Sequence, residues 1–332
     1  MNVLVTGGMG YIGSHTVVQL IESGYTPIIV DNLINSNVKV LDKIEMITGT
    51  KPKFYQTDLT DLEKLEAIFL AETFDAVIHF AGLKAVGESV EMPLVYYNNN
   101  LIASLNVLQM MKKYQVANFI FSSSATVYGS PKFNPILEDF PLRATNPYGA
   151  TKLMIEDVLR DICYADEAFN VAILRYFNPV GAHKSGLIGE APNGVPNNLM
   201  PYITKVATGE LAQLNVFGSD YDTHDGTGVR DYIHVVDLAD GHLKALEKLK
   251  ESPGLLTVNL GTGKGYSVLD LVKAFEKANG VTIPYQVKER RPGDIGTCYA
   301  DCERAKVELN WEAKYGIEEM CRDAWRWERS VE

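Results

Sequence analysis

Cysteine is scarce in this chain of 332 residues, and its four copies (Cys163, Cys298, Cys302 and Cys321) include no Cys-x-x-Cys pair. With six scattered histidines they offer no zinc-ligand spacing, so no metal is expected, and a reducing cytoplasm is the expected setting. Long apolar runs are missing too. None approaches the ~20 residues of a membrane helix, and the N-terminus enters a strand pattern without a leader-like segment. Positive charge is also short. Thirty-one Lys and Arg against 42 Asp and Glu leave −11, which argues against nucleic acid and against an anionic membrane surface. Repeats and low-complexity tracts are absent. What remains is 46% hydrophobic and 22% charged, an ordinary globular composition, long enough for one large domain or two.

The stretch that organises the rest is Asn2 to Gly13. Val3, Leu4 and Val5 read as a buried parallel strand. Gly7, Gly8 and Gly10 follow, and Gly13 opens a helical pattern through Val17, Leu20 and Ile21. Glycines there allow a tight strand-to-helix turn and let backbone N–H groups approach a pyrophosphate at the helix N-terminus. A glycine triplet alone is weak evidence, but Asp31 strengthens it. It ends the run Ile28-Ile29-Val30, near the ~20-residue offset at which a carboxylate accepts from ribose hydroxyls. A carboxylate in that place repels a 2′-phosphate and favours NAD over NADP.

Farther along, Asn32 to Ser36 form a polar turn suited to an adenosine. Lys53–Gln56 reads as a third strand, and Asp58 after it either touches adenine or ends the strand. Thr60 is expected to cap the next helix. Ala76–Phe80 is a fourth strand, in which His79 reads as a core histidine rather than a catalyst. Pro93 opens a long helical stretch from about Leu94 to Tyr114. Asn98, Asn99 and Asn100 interrupt it; three adjacent amides cannot share one helix face, so at least one should point toward the cofactor. Phe119–Phe121 is a fifth strand ending in Ser122, Ser123 and Ser124. In an open parallel sheet, strand ends of this kind hold the ligand.

A proline-rich loop leads to Pro147, suited to the first turn of a helix reaching about Ala168. Tyr148 and Lys152 lie four apart on one face of it. An ammonium beside a phenol favours the phenolate, and nearby NAD⁺ adds to that, giving a usable base. Val171–Arg175 is a sixth strand. From Tyr176 the chain changes character. Turn residues including Pro179, Gly181, Pro192, Gly194 and Pro196 crowd the interval to Asn198, and short strands and helices follow. The expected fold is α/β, a doubly wound parallel (Rossmann) sheet over 1–176 with some later segments returning to it. Residues 177–332 mainly form a smaller mixed lobe. Arg230 and Arg291 offer forks for a diphosphate, whereas Arg290 reads as a surface salt bridge.

With these residues in hand, the chain resembles the extended short-chain dehydrogenase/reductases and, along essentially its whole length, their UDP-hexose 4-epimerase members. The segments that carry the resemblance are 5–15, 79–89, 121–129, 175–183, 196–202 and 226–235. The resemblance implies NAD contacts at Gly7, Gly10, Tyr11, Ile12, Gly13, Asp31, Asn32, Leu33, Ile34, Asn35, Ser36, Asp58, Leu59, Phe80, Ala81, Gly82, Leu83, Lys84, Asn99 and Lys152. Ser124 and Tyr148 match the catalytic pair, and Phe177 the residue packed beside the nicotinamide. Asn178, Asn198, Leu199, Asn215, Val216, Phe217, Arg230, Arg291 and Asp294 match contacts to a UDP-hexose. Where some members carry a tyrosine against the hexose, this chain has Cys298. The resemblance also implies a homodimer through the helices at 94–114 and 148–168. The implied reaction, part of galactose metabolism, is redox-neutral. Tyr148 takes the 4-hydroxyl proton, C4 gives a hydride to tightly held NAD⁺, and the hydride returns to the other face of a 4-ketose. The sibling 4,6-dehydratases need an acid pair beside this serine, and Ser124-Ala125-Thr126 has none. A non-catalytic dinucleotide sensor is disfavoured by retention of Ser124, Tyr148 and Lys152 together.

Overall fold

The structure is a computed structural model that describes residues 1–191, 196, 198–291 and 294–331, with Val331 described by its backbone alone. Pro192, Gly194, Asn197 and the Pro292-Gly293 pair before Asp294 lie outside the described residues.

The apolar runs become the middle of one sheet. Strands β1 (Asn2–Thr6), β2 (Thr26–Asp31), β3 (Lys53–Gln56), β4 (Ala76–His79), β5 (Asn118–Ser124) and β6 (Asn170–Tyr176) are joined through helices α1 (Tyr11–Glu22), α2 (Val40–Thr48), α3 (Leu62–Ala71), α4 (Val86–Glu91), α5 (Pro93–Lys113) and α6 (Pro147–Ala165). Beyond them come β7 (Asn178–Val180), α7 (Leu199–Ala207), β8 (Leu214–Phe217), β9 (Val229–His234), α8 (Val235–Leu249) and β10 (Leu255–Leu260). The chain closes with β11 (Gly265–Ser267), α9 (Val268–Asn279), β12 (Tyr285–Lys288), β13 (Thr297–Cys298), α10 (Glu303–Leu309) and α11 (Ile317–Val331).

Among the described residues the main sheet has seven parallel strands in the order β10-β6-β5-β4-β1-β2-β3. Both faces are covered, which is why its strands are apolar without alternation. Val3, Leu4, Val5, Val77, Ile78, Phe119, Ile120 and Phe121 are all fully buried, each side chain contributing roughly 1.5–3 kcal/mol by leaving water. The order reverses between β1 and β4, so a crevice opens beyond their carboxyl ends. Strand β10 joins β6 at the sheet edge and α8 packs on α1, so this late segment returns to the first half. A smaller sheet holds β11, β9 and β13, with β7 also on β9, and β8 pairs with β12.

Three local expectations change. Asp61, not Thr60, caps α3, its carboxylate accepting from the Lys64 amide at 3.1 Å; a carboxylate near the positive helix end outcompetes a hydroxyl. The asparagine run does not break α5. Asn100 is buried, and its amide bonds Leu83 and Thr151 rather than competing for its own backbone. Finally, Ser122 to Ser124 remain strand, paired with Leu174 to Tyr176 on β6.

Candidate active site

The crevice is lined by the turn after β1 and the segment after β4. Gly7 has φ +68°, and a Cβ on it would stand 2.7 Å from the Ala81 amide nitrogen. A Cβ on Gly13 would meet the Gly7 carbonyl oxygen at 2.3 Å. These two positions therefore require glycine if turn, helix and neighbouring strand are to pack this closely. Gly10 caps α1 without a side-chain acceptor, and no acidic residue occupies the first turn. The amides of Tyr11, Ile12 and Gly13 thus form a helix N-terminus suited to an anion, and a pyrophosphate fits it. The Tyr11 hydroxyl donates to the Gly181 carbonyl at 2.6 Å, tying this turn to the segment after β7.

Asp31 ends β2 with its carboxylate already ordered. It accepts from the Met9 amide (3.1 Å), the Leu33 amide (2.9 Å) and the Ser36 hydroxyl (2.8 Å). With about four acceptor positions on a carboxylate, one direction stays open for a ribose hydroxyl. Leu33 takes φ +62° to turn the chain around that carboxylate. Asn32 donates to Asp58 at 3.0 Å and accepts from the Ile34 amide at 3.1 Å. Asp58 also receives the Thr60 amide and hydroxyl; burial opposes its ionisation, but these donors hold its carboxyl below the ordinary range. Leu59 is a core residue whose carbonyl is held by Asn106.

After β4, Phe80 stacks near His242 with ring centroids 4.8 Å apart. Gly82 has φ +157°, and Leu83 is held by the Asn100 amide through both its N–H (2.8 Å) and its carbonyl (3.0 Å). Asn99, half-buried, donates to the same Asn100 oxygen at 3.0 Å. His79 bonds Thr6 (2.7 Å) and Ser104 (3.0 Å), and burial lowers it to about 3. It is a satisfied core histidine.

Ser124, Tyr148 and Lys152 come from two elements that meet at the carboxyl end of β5. Helix α6 begins at a fixed point, because Asn146 caps it by accepting from the Gly149 amide at 2.8 Å and Pro147 fills the first turn. Lys152, 5% exposed, donates to the Ser122 carbonyl at 2.7 Å. Its ammonium nitrogen is 4.9 Å from the Phe121 ring centroid and 6.0 Å from that of Tyr148. Burial lowers Lys152 to about 8. Tyr148 differs from the simple expectation of an ammonium-stabilised phenolate. Burial raises its phenol, and the hydrogen bond to Ser124 pulls it back only in part. The Lys152 ammonium itself is directed at the strand carbonyl. Ser124 accepts from the Thr126 amide (3.2 Å) and hydroxyl (3.0 Å), which fixes its oxygen.

Of the residues matched to the sugar nucleotide, Asn178, Arg230 and Cys298 lie on the smaller sheet, Asn215 to Phe217 on β8, Asn198 and Leu199 at the start of α7, and Arg291 and Asp294 between β12 and β13. Cys298 is the register partner of Arg230 across β13 and β9, and Asn178 is that of Tyr232. Cys298 packs in one apolar cluster with Phe177, Val127 and Tyr128, so the far lobe does reach the strand end bearing Ser124. Arg230 is held by the Val229 carbonyl at 2.9 Å. Arg291 lies 4.3 Å from the Phe217 ring centroid and 3.5 Å from Asp294. Arg290 pairs with Asp220 at 2.7 Å, as a surface arginine. Asn215 is exposed and Val216 is in the core. Asn198 opens α7 next to Leu199.

Sequence reading missed two residues here. Asn100 shapes the turn at Leu83, and the asparagine run was the only signal of it. Glu190 accepts from Asn198 at 2.6 Å and meets Lys84 at 3.5 Å, bridging the two halves of the cleft. Burial raises its carboxyl; nothing in its local sequence marks it.

With this geometry in hand, comparison with known proteins is decisive. A family model described as GDP-mannose 4,6 dehydratase matches residues 4–324. The UDP-glucose 4-epimerase of Bacillus subtilis is 61% identical over 330 residues, spanning 99% of this chain and 97% of its own. The chain belongs to the UDP-glucose 4-epimerase family. An epimerase of this name from Stenotrophomonas maltophila, solved with bound NAD and formylated UDP-arabinopyranose, superposes with a TM-score of 0.98 at 50% identity. It covers 100% of this chain and 98% of its own. That from Bifidobacterium longum, in complex with NAD+ and UDP, gives 0.96 at 53% identity over 99% and 98%. These epimerases share the α/β plan of a seven-stranded parallel sheet with a smaller C-terminal part.

Proposed function

We propose that the protein interconverts UDP-glucose and UDP-galactose by inverting C4 of the hexose with NAD held in the cleft, a step of galactose metabolism. The observation that carries this is the meeting of Ser124, Tyr148 and Lys152 at the carboxyl end of β5, along the same sheet edge as the glycine turn after β1 and Asp31 at the end of β2. The pyrophosphate of NAD suits the α1 N-terminus, its adenosine the Asp31–Ser36 turn with Asp58, and its nicotinamide end the Phe80–Lys84 segment, Asn99, Lys152 and Phe177. When bound, NAD supplies the hydride acceptor that oxidises C4 and returns the hydride to either face. Tyr148 takes the 4-hydroxyl proton, and Ser124, held by Thr126, shares that proton's path. Lys152 keeps a positive charge near the phenol at neutral pH, since its proton leaves only at about 8. Arg230 and Arg291, with Asn178, Asn198, Leu199, Asn215 to Phe217 and Asp294, grip the UDP so that the hexose turns over without escaping.

The cleft also suits the N-acetyl counterparts. Cys298 shares an apolar cluster with Phe177, at the position where a tyrosine would fill the space beside the sugar's 2-substituent. Its backbone cannot retreat. Ile136 donates to the Tyr299 carbonyl at 2.9 Å, Tyr299 to Asn134 at 3.2 Å, and Ala300 to the buried Asp231 at 3.1 Å. Overfilling a pocket so held costs about 1–3 kcal/mol, about one or two powers of ten in rate. Chromatographic assay with UDP-galactose and UDP-N-acetylgalactosamine side by side tests this. Wild type should convert both, and Cys298→Tyr should lose at least tenfold on the N-acetyl sugar alone. Equal loss on both sugars removes Cys298 as the gate.

A homodimer through α5 and α6 belongs to the same reading. Along these two helices Leu94 (81% exposed) and Leu105 are exposed, whereas Leu108, Ile155 and Leu159 are core. Val95, Ile102, Met154 and Tyr164 extend the exposed apolar face. Light scattering at micromolar concentration should give twice the 36.8 kDa chain mass; the single mass rejects the dimer.

A further inference from the structure

We propose that Glu156 is a positioning residue for this reaction, locking the helix that carries Tyr148 and Lys152 to the strand ends that carry Ser124 and Phe177. The proposal rests on the epimerase reading above. Glu156 lies four residues after Lys152 and eight after Tyr148, on the same face of α6, and it is fully buried. Its carboxylate accepts the Ser123 hydroxyl at 2.6 Å, Arg175 Nε at 3.0 Å and Arg175 Nη2 at 2.7 Å, and Arg160 Nη2 at 2.5 Å.

Those partners are not scattered. Ser123 and Arg175 face each other in register on β5 and β6. Ser123 stands between Ser122, whose carbonyl takes the Lys152 ammonium, and Ser124. Arg175 stands two residues before Phe177, and its remaining amino group is occupied by Tyr128 (2.9 Å) and the Glu138 carbonyl (2.8 Å). One carboxylate therefore pins α6 to two adjacent strands at a single register position, immediately behind the reacting groups. A buried ion pair is a poor device for stability alone, since apolar residues of similar volume often replace it without loss. Its two parallel Arg–carboxylate bonds are directional, and a shift of about 1 Å in reacting groups costs on the order of a hundredfold in rate. Fixing direction is what this fork does.

The test compares Ser123→Ala, Glu156→Gln and Glu138→Gln by kcat and KM for UDP-galactose, with melting temperature recorded for each. Ser123→Ala leaves Arg175 paired and removes only the link to β5. Glu138 is buried on the far side of Arg175, accepting from the Asn259 amide at 2.8 Å, and serves as the structural control. Ser123→Ala should lower kcat about tenfold with KM within twofold and little change in melting. Glu156→Gln should lower kcat about a hundredfold at similar KM. Glu138→Gln should melt lower with kcat within twofold. If Glu156→Gln fails to fold, Ser123→Ala decides alone. Should Ser123→Ala keep kcat within twofold, or should kcat fall in step with melting across all three, Glu156 is structural only. A wild type that leaves UDP-galactose untouched overturns the underlying reading instead.

Discussion

Lys152, at one end of the cleft, is 5% exposed and hangs on a strand carbonyl at 2.7 Å. Arg291, proposed for the diphosphate, has a side chain 60% exposed and meets Asp294 at 3.5 Å. Both are cations assigned to the same cleft, yet one is fixed by burial and the other by almost nothing. An exposed ion pair is worth at most about 1 kcal/mol, so Asp294 competes weakly with an arriving phosphate for Arg291. The difference teaches how the work is divided. Proton and hydride movement needs groups held to a fraction of an ångström, and those groups stand where α6 packs on β5, a strand buried along most of its length. Gripping a diphosphate needs charge and reach, which a long side chain such as Arg291, between β12 and β13, provides.

Variants can break or sharpen that contrast. Tyr148→Phe should have the largest effect, lowering kcat by about 10²–10⁴ with folding and bound NAD nearly intact. Activity above a tenth of wild type would remove Tyr148 as the base. Gly13→Ala comes next. A Cβ there would stand 2.3 Å from the Gly7 carbonyl oxygen, so the protein should purify without bound NAD, read from its absorbance and by release on denaturation. Full cofactor content in that variant would mean the turn is not the pyrophosphate site. Arg291→Ala should be milder and of another kind, raising KM for UDP-galactose about tenfold with kcat within twofold; an equal fall in kcat would deny the division.

Titration gives a signal in stability rather than in rate. Burial lowers Lys152 from 10.5 to about 8, so between those values the unfolded chain binds more protons than the folded one, and stability rises with pH across that window. The buried ammonium costs roughly 3 kcal/mol below about pH 8. Denaturant unfolding of cofactor-free protein from pH 7 to pH 10.5 should show this rise in wild type and not in Lys152→Met. Parallel curves for the two would contradict it.

The first half of the molecule was legible because its signals are local. The runs at Val3–Val5, Ile28–Val30 and Ala76–Ile78 became adjacent strands, and the spacing of Gly7, Gly13 and Asp31 placed the crevice. Tyr148 and Lys152 sit on one helix face by spacing alone. Asn100, Glu190 and Glu156 were not legible, since each takes its meaning from partners distant in sequence, as far as 106 positions for Glu190 and Lys84. The mid-helix carboxylate of Glu156 reads in sequence as a solvated charge, and only the register of Ser123 with Arg175 shows otherwise. Tyr148 carried a further lesson. Proximity to lysine predicted an easy phenolate, but burial of the phenol raises it, and the hydrogen bond to Ser124 lowers it only in part.

The central claim is that C4 is inverted by removal and return of one hydride within a cleft that keeps its cofactor. UDP-galactose carrying deuterium at C4, incubated with purified protein and no added dinucleotide, tests it most directly. UDP-glucose should form to equilibrium with deuterium still at C4 and no net accumulation of NADH. Loss of the label to solvent, or conversion only when free NADP is supplied, would contradict the account.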